Sequence, residues 1–306
     1  MPQDRTAVTV AGRRLDVSSL DKVLYPETGF TKAALMRYYG QVGPALLPHL
    51  ADRPASFLRC PGGVDGDSFW AKRVPPGTPG WVSTLRVPLH STGTAEMEQV
   101  VVADLPTLMW AGNLDTVEFH VPQWRTAPDR HDRLIIDLDP GTGATLLHCC
   151  AAALAVRAAL RADRLDAWPK TSGSKGLHLS VPLRPAPAEA VSGYAKALAR
   201  RLSEACPQLL VYRMDKGLRR NRVLLDWSQN ASAKTTVSPY SLRAHARPTV
   251  STPVSWQEIE SCEHPDQLSF TPEQAAARVE RDGDLWAPLL DPDQQLTLPP
   301  SPPSSR

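Results

Sequence analysis

None of the five cysteines (Cys60, Cys149, Cys150, Cys206, Cys262) forms a C-x-x-C pair, and their number is odd. A zinc cluster or a disulfide framework is therefore not expected, and a reduced cytoplasmic compartment is the default. No N-terminal apolar stretch suits a signal peptide, and no apolar run is long enough to span a membrane. There is no internal repeat, no G-x-x-x-x-G-K-[ST] phosphate loop and no K-x-D-G motif of a nucleotidyl-transferring ligase. The excess of one charge over the other is small as well. Lys and Arg number 34 against 32 Asp and Glu, a net charge of +2 that does not by itself point to nucleic acid.

What is present is an ordinary globular composition, 42% hydrophobic and 22% charged, over 306 residues, enough to bury a sizeable core. The 30 prolines are spread along the chain and cluster only in the tail LPPSPPSSR, which has a disordered composition. Positive charge is concentrated in one region. From Tyr212 to Arg247, Arg213, Lys216, Arg219, Arg220, Arg222, Lys234, Arg243 and Arg247 stand against Asp215 and Asp226 alone, a local field suited to phosphates.

Periodicity predicts a hairpin turned at Ala11-Gly12, then a loop-like SSLDKVLYPETGFTK. A helix capped by Thr31 follows to Leu50, interrupted near Gly43-Pro44. Short strands fill 54–102, with turns at PGG, PPGTPG and STG, and a short helix lies in DLPTLMWAGN. TVEFHVPQW reads as a strand with Glu118 and His120 on one face. LIIDLDPGTG is a strand entering a turn, followed by a helix in ATLLHCCAAALAVRAALRAD. WPKT and GLHLSVPL are strands joined by SGSKG, and AEAVSGYAKALARRLSEA is a helix. LLVYRM and RVLLDWS are strands linked by DKGLRRN, and TPEQAAARVERDGDLWAPLL is a C-terminal helix. The sum is an α+β protein with a mixed or antiparallel sheet core, flanking helices and no clear linker.

Three acids lie on these strands. Alternation turns Asp137 and Asp139 to one face, and Asp226 sits in an apolar strand where an unpartnered carboxylate would be costly. A salt bridge to a nearby arginine would satisfy Asp226; the alternative is a metal shared by all three acids, since hard divalent cations prefer carboxylate oxygens. TSGSKGLHL adds Gly173 and Gly176 for close backbone approach, with Ser172, Ser174 and Lys175 as donors. Taken alone, such a glycine turn usually does nothing but turn.

The acid pair, the glycine turn with His178, and the third acid follow in that order. Together with LDKVLYPETGFTK, HVPQW and DWSQNASAKTTVSPYSLR they resemble the archaeo-eukaryotic primase superfamily, and within it the polymerase domain of bacterial ATP-dependent ligase D. The resemblance runs from Val8 to Leu290 and implies a single primase-polymerase catalytic domain over 1–290. Within it, a 5′-phosphate-binding segment would lie near 8–50, and the Pro-rich tail would be 291–306.

It further implies a template-dependent nucleotidyl transferase of non-homologous end joining, adding ribo- or deoxynucleotides at gaps and double-strand breaks. Asp137, Asp139 and Asp226 would hold two divalent cations, Mn²⁺ or Mg²⁺. His120, Ser172, Ser174, Lys175, His178, Lys234 and Arg243 match nucleotide-site positions. Lys22 and Lys32 match two lysines that hold a downstream 5′-phosphate; Ser19 stands where the family usually has asparagine. Phe69 and Trp70 occupy the place of a template-stacking pair, and Arg219 and Arg220 lie in a basic loop that aligns a broken 3′ end. Each also has a plain structural alternative. His120 would be a strand histidine bonded to Glu118, the lysines exposed side chains, and the aromatic pair core residues of which an ideal strand buries at most one. The partners implied are DNA with 5′-phosphate ends, nucleoside triphosphates, Ku and a separately encoded ATP-dependent ligase, in a bacterial, nucleoid-associated setting with no membrane. Competing readings are a primase that starts chains de novo, a metal-dependent nuclease or phosphoesterase, and a non-catalytic DNA-end binding module.

Overall fold

The computed structural model describes residues 5–88 and 96–299. The STG turn at 91–93 falls outside the described residues. The chain divides into two compact units, each assembled from three segments. The first is 1–122, 237–251 and 270–284; the second is 123–236, 252–269 and 285–306. The chain passes between the units five times, so no single linker marks a boundary in the sequence.

The second unit is built on a five-stranded sheet. Its order is Trp168–Thr171, Leu177–Pro187, Arg130–Pro140, Val223–Asp226 and Leu210–Val211. All neighbours are antiparallel except the last pair, which is parallel. In the central strand, Leu134, Ile136 and Leu138 are buried and so is Ile135 on the opposite face, so both faces are covered. The helix Leu146–Ala162 is alanine-rich and opens with a Thr145–His148 capping box. The helix Ala188–Ala205 buries Val191, Tyr194, Ala195, Leu198, Ala199 and Leu202, a spacing of three and four that makes one apolar stripe.

The first unit centres on Thr116–Val121, paired antiparallel with Ser56–Arg59, which in turn pairs with Phe69–Ala71. Phe119 and Phe57 of these strands pack edge-on with ring centroids 5.4 Å apart, and Tyr39 packs edge-on against Phe119 at 5.1 Å. The buried Tyr39 hydroxyl donates to the carbonyl of Val117 at 2.6 Å. The helix Lys32–Leu50 starts at Thr31, whose side chain accepts from Ala34 N–H. It runs unbroken through Pro44 and Pro48, contrary to the predicted interruption. A Cβ added at Gly43 would meet Leu105 at 3.0 Å, so the bare glycine admits the neighbouring helix Leu105–Asn113. Packing of Val42, Ala45, Leu46 and Leu50 outweighs the local preference of proline.

Other boundaries differ for local reasons. The loop-like stretch before Thr31 contains a small antiparallel pair, Val23–Tyr25 with Phe30–Thr31. The strand predicted through Ser228 ends at Asp226, because that side chain caps the 3₁₀ turn Trp227–Asn230. The last helix stops at Asp282, where Gly283 takes a φ of +70°, and a separate 3₁₀ turn follows at Ala287–Leu290. Beyond residue 290, Leu296 donates to the carbonyl of Pro182 and accepts from Arg184 N–H, so the described start of the Pro-rich tail is paired to the sheet. Residues 300–306 lie outside the described residues. No helix is long and apolar enough to cross a membrane among the described residues.

Candidate metal centre and phosphate-binding residues

Register brings the acids together. Asp137 sits directly opposite Asp226 across the antiparallel pair of the central strand, and Asp139 is two residues further along. One carboxylate oxygen from each lies within 4.8 Å of the others. Asp137 is buried, Asp226 half-buried and Asp139 exposed, so the cluster opens toward solvent at Asp139. Three carboxylates at this separation repel one another, which a divalent cation offsets. An all-oxygen donor set suits Mg²⁺ or Mn²⁺ and not a thiophilic metal.

The third acid is held by its own turn. Asp226 accepts from Ser228 N–H at 3.0 Å, Ser228 Oγ at 2.6 Å and Gln229 Nε2 at 2.8 Å. Buried Asn230 ties that turn to the centre of the sheet. It accepts from Ile135 N–H at 2.9 Å and donates to the Ile135 carbonyl at 2.8 Å, continuing the ladder where the strand stops. The positioning role of Ser228, Gln229 and Asn230 is absent from the sequence reading, although all three lie in its DWSQN block.

The glycine loop closes against the acid strand. His178 is the cross-strand partner of Asp137, and its Nε2 lies 3.3 Å from Asp137 Oδ1. A Cβ added at Gly176 would fall 2.2 Å from the carbonyl oxygen of Leu138 and 3.5 Å from Asp139 Oδ1. Gly173 adopts φ +69°. Ser172 Oγ accepts from the amides of Ser174 at 3.2 Å and Gly176 at 3.1 Å, which shapes the loop from within. Ser174 and Lys175 are exposed at its tip. On the other side of the acids, a Cβ at Gly141 would meet the Arg219 carbonyl oxygen at 1.9 Å. The base of the basic loop is thus fixed to the turn after the acids, with Lys216–Arg219 in a 3₁₀ turn capped by Asp215. Arg219 donates to the carbonyl of Met214, Arg220 is next in the chain, and Lys234 is exposed on a separate turn.

The remaining residues belong to the first unit. His120 Nε2 lies 2.7 Å from Glu118 Oε2, the strand contact expected from their shared face. Arg243 Nε approaches Glu118 Oε1 at 3.1 Å. Burial would raise the pKa of Glu118, but the His120 hydrogen bond, the Arg243 charge and the Ala244 amide hold it at about 2. The Trp70 ring stands edge-on to His120 with centroids 4.7 Å apart, and Arg59 lies over Phe69 at 5.2 Å. Phe69 and Trp70 are 47% and 48% exposed, so neither is a core aromatic.

Lys22 and Lys32 meet on one carboxylate that the sequence reading passed over. Lys22 Nζ donates to Asp115 Oδ2 at 2.7 Å, and Lys32 Nζ lies 3.5 Å from Asp115 Oδ1. Lys32 is not the exposed side chain expected of a helix start. It is 2% exposed, and burial lowers its pKa while Asp115 opposes that shift. Ser19 turns the chain ahead of Lys22 at φ +54°, and its carbonyl accepts from Lys22 N–H at 3.0 Å.

An α+β sheet with three converging carboxylates and a glycine loop at their edge has the chemistry of a metal-dependent phosphoryl-transfer enzyme. Comparison with known proteins narrows the class. The profile of "LigD, primase-polymerase domain" matches residues 31–286. The non-homologous end joining protein LigD of Mycolicibacterium smegmatis is 39% identical over 280 residues, covering 90% of this chain and 36% of that protein. The bifunctional LigD of Bacillus subtilis is 30% identical over 272 residues, covering 88% of this chain and 43% of that protein. The polymerase domain of Mycobacterium tuberculosis ligase D, solved in complex with DNA, superposes with a TM-score of 0.85 at 38% identity, covering 90% of this chain and 98% of that one. The chain therefore belongs to the LigD primase-polymerase domain family, a family of nucleotidyl transferases, and spans about a third of the length of the mycobacterial relatives it matches.

Proposed function

We propose that this chain is a template-dependent polymerase of DNA end joining, extending 3′-hydroxyl ends at gaps and double-strand breaks with ribo- or deoxynucleoside triphosphates. The observation that carries this reading is the register of Asp137 opposite Asp226, with Asp139 at the open end, inside a family defined by nucleotidyl transfer. Asp137, Asp139 and Asp226 would hold two divalent cations, Mn²⁺ or Mg²⁺, whose charge would favour both hydroxyl attack and pyrophosphate departure.

The chain's own residues do the rest. The turn Trp227–Asn230 keeps Asp226 aimed, and Gly176 lets the loop lie against the acid strand so that Ser174 and Lys175 are offered to a triphosphate. The assignment of Ser172, His178, His120, Lys234 and Arg243 to the incoming nucleotide rests on their motif positions. Ser172 serves by shaping the loop. Half-exposed Phe69 and Trp70 suit stacking on a template base, worth about 1–3 kcal/mol per base. Arg219 and Arg220 suit the backbone of a 3′ end, and Lys22 and Lys32 a terminal 5′-phosphate. Ku and a separately encoded ATP-dependent ligase are the partners we assign, and the bacterial nucleoid the setting.

Primer extension on a 5′-phosphorylated gap, with ribo- and deoxynucleotides and each metal in turn, tests the reading. Template-directed addition with pyrophosphate release is expected. Degradation of DNA without added nucleotide, and no extension, would instead identify a nuclease.

A further inference from the structure

Asp115 is a buried acid between two cations, in a place where a phosphate-binding pocket has no evident use for a negative charge. It is 7% exposed, lies between the helix Leu105–Asn113 and the strand Thr116–Val121, and holds φ +60°. Its backbone is fixed at both ends: its N–H donates to the Gly112 carbonyl, and its carbonyl accepts from Cys60 N–H. Its two carboxylate oxygens are divided between the lysines, Oδ2 to Lys22 and Oδ1 to Lys32. The lysines are also joined through the main chain, where Lys32 N–H donates to the Lys22 carbonyl at 2.8 Å. Arg59 is the third cation nearby, with its Nε bonded to the carbonyl of Leu114, the residue just before Asp115, at 2.8 Å.

Resting on the reading of Lys22 and Lys32 as a 5′-phosphate grip, we propose that Asp115 is the specificity-determining residue of that grip. It spaces the two ammonium groups and trims the pocket charge to that of a terminal phosphate. Lys22, Lys32 and Arg59 bring three positive charges, and Asp115 removes one. The remaining two match a phosphomonoester, which carries nearly two negative charges, better than a phosphodiester, which carries one. Without the carboxylate, buried Lys32 has lost its counter-ion and Lys22 keeps, among the described residues, the Pro61 carbonyl 3.1 Å away. The pocket then holds excess charge that any internal phosphate can satisfy. Asp115 touches neither nucleotide nor acid triad in this scheme; it acts through the lysines as a positioning residue.

Asp115→Asn is the informative change, because asparagine is among the few residues that tolerate a left-handed backbone. It removes the charge and keeps the shape. The measurement is the affinity of gapped duplexes that differ only in a 5′-phosphate or 5′-hydroxyl downstream end, by fluorescence anisotropy at fixed salt. The wild-type protein should prefer the phosphate, and Lys22→Ala with Lys32→Ala should erase that preference. In Asp115→Asn the preference should fall about tenfold, the scale of one lost charge-assisted contact, in a protein that still unfolds cooperatively at a thermal midpoint lowered by the loss of the buried Lys32 counter-ion. If that variant does not fold, Asp115→Gly, which suits the same φ, replaces it. A wild-type preference retained in full by the Asp115 variant overturns the proposal. Absence of any preference in the wild type overturns the phosphate-grip reading itself.

Discussion

Gly176→Ala is the smallest perturbation that separates a positioned glycine loop from a turn that merely connects two strands. The new methyl would sit 2.2 Å from the Leu138 carbonyl oxygen, whereas ordinary contact begins near 3.4 Å. Backbone lies on both sides of the contact, so no side chain can rotate away. The loop must retreat from the acid strand by about 1.2 Å, the difference between those two distances. Lys175 precedes this residue and His178, beside Asp137, follows it, so the retreat moves the two side chains assigned to the nucleotide relative to the acids. A misplacement of about 1 Å costs on the order of a hundredfold in rate where catalysis depends on orientation. Overpacking of this kind destabilises by about 1–3 kcal/mol. Single-nucleotide insertion kinetics should therefore show kcat/KM down about a hundredfold in a protein that still unfolds cooperatively. Wild-type insertion kinetics in Gly176→Ala would refute the claim that the loop's close approach matters to catalysis.

Asn230→Ala removes both side-chain bonds to Ile135 and leaves a buried N–H and C=O without that partner. A loss of about 2–3 kcal/mol is expected in urea denaturation, with extension falling as the turn under Asp226 loosens; an unchanged midpoint would contradict the role given to it. Glu118→Gln tests the ion network beside His120. The folded pKa of about 2 lies below the ordinary 4.5, so the charged group contributes stability that is complete above 4.5 and is lost as the pH falls toward 2. Wild type should lose more stability than Glu118→Gln between those two values, as followed by urea unfolding at stepped pH. Parallel profiles would remove Glu118 from the account.

Much of the three-acid cluster is legible in the sequence because it depends on strand alternation and two short motifs. DLDP announces two acids on one face, and DWSQN carries both the third acid and the residues that hold it. What is not legible is pairing. No local signal reveals that Asp137 is opposite Asp226 and not one residue displaced, and a slip of one would turn the side chains to the other face. The continuous helix through Pro44 and Pro48 escapes a local reading because its cause is the helix packed on Gly43, some sixty residues later in the chain. Lys32 reads as exposed because its burial is a matter of tertiary packing and its partner is Asp115, a distant acid outside every motif quoted. The two units leave no compositional boundary because each is threaded from three separate segments.

Asp137, Asp139 and Asp226 are assigned above as the metal-holding centre of a polymerase. The most direct measurement is primer extension on a 5′-phosphorylated gap by Asp137→Ala/Asp139→Ala, run beside end binding by the same protein. Extension should be abolished while binding to the DNA end persists, because the lysines and aromatic residues assigned to the DNA lie in the other unit. Extension at the wild-type rate in that variant would contradict the account.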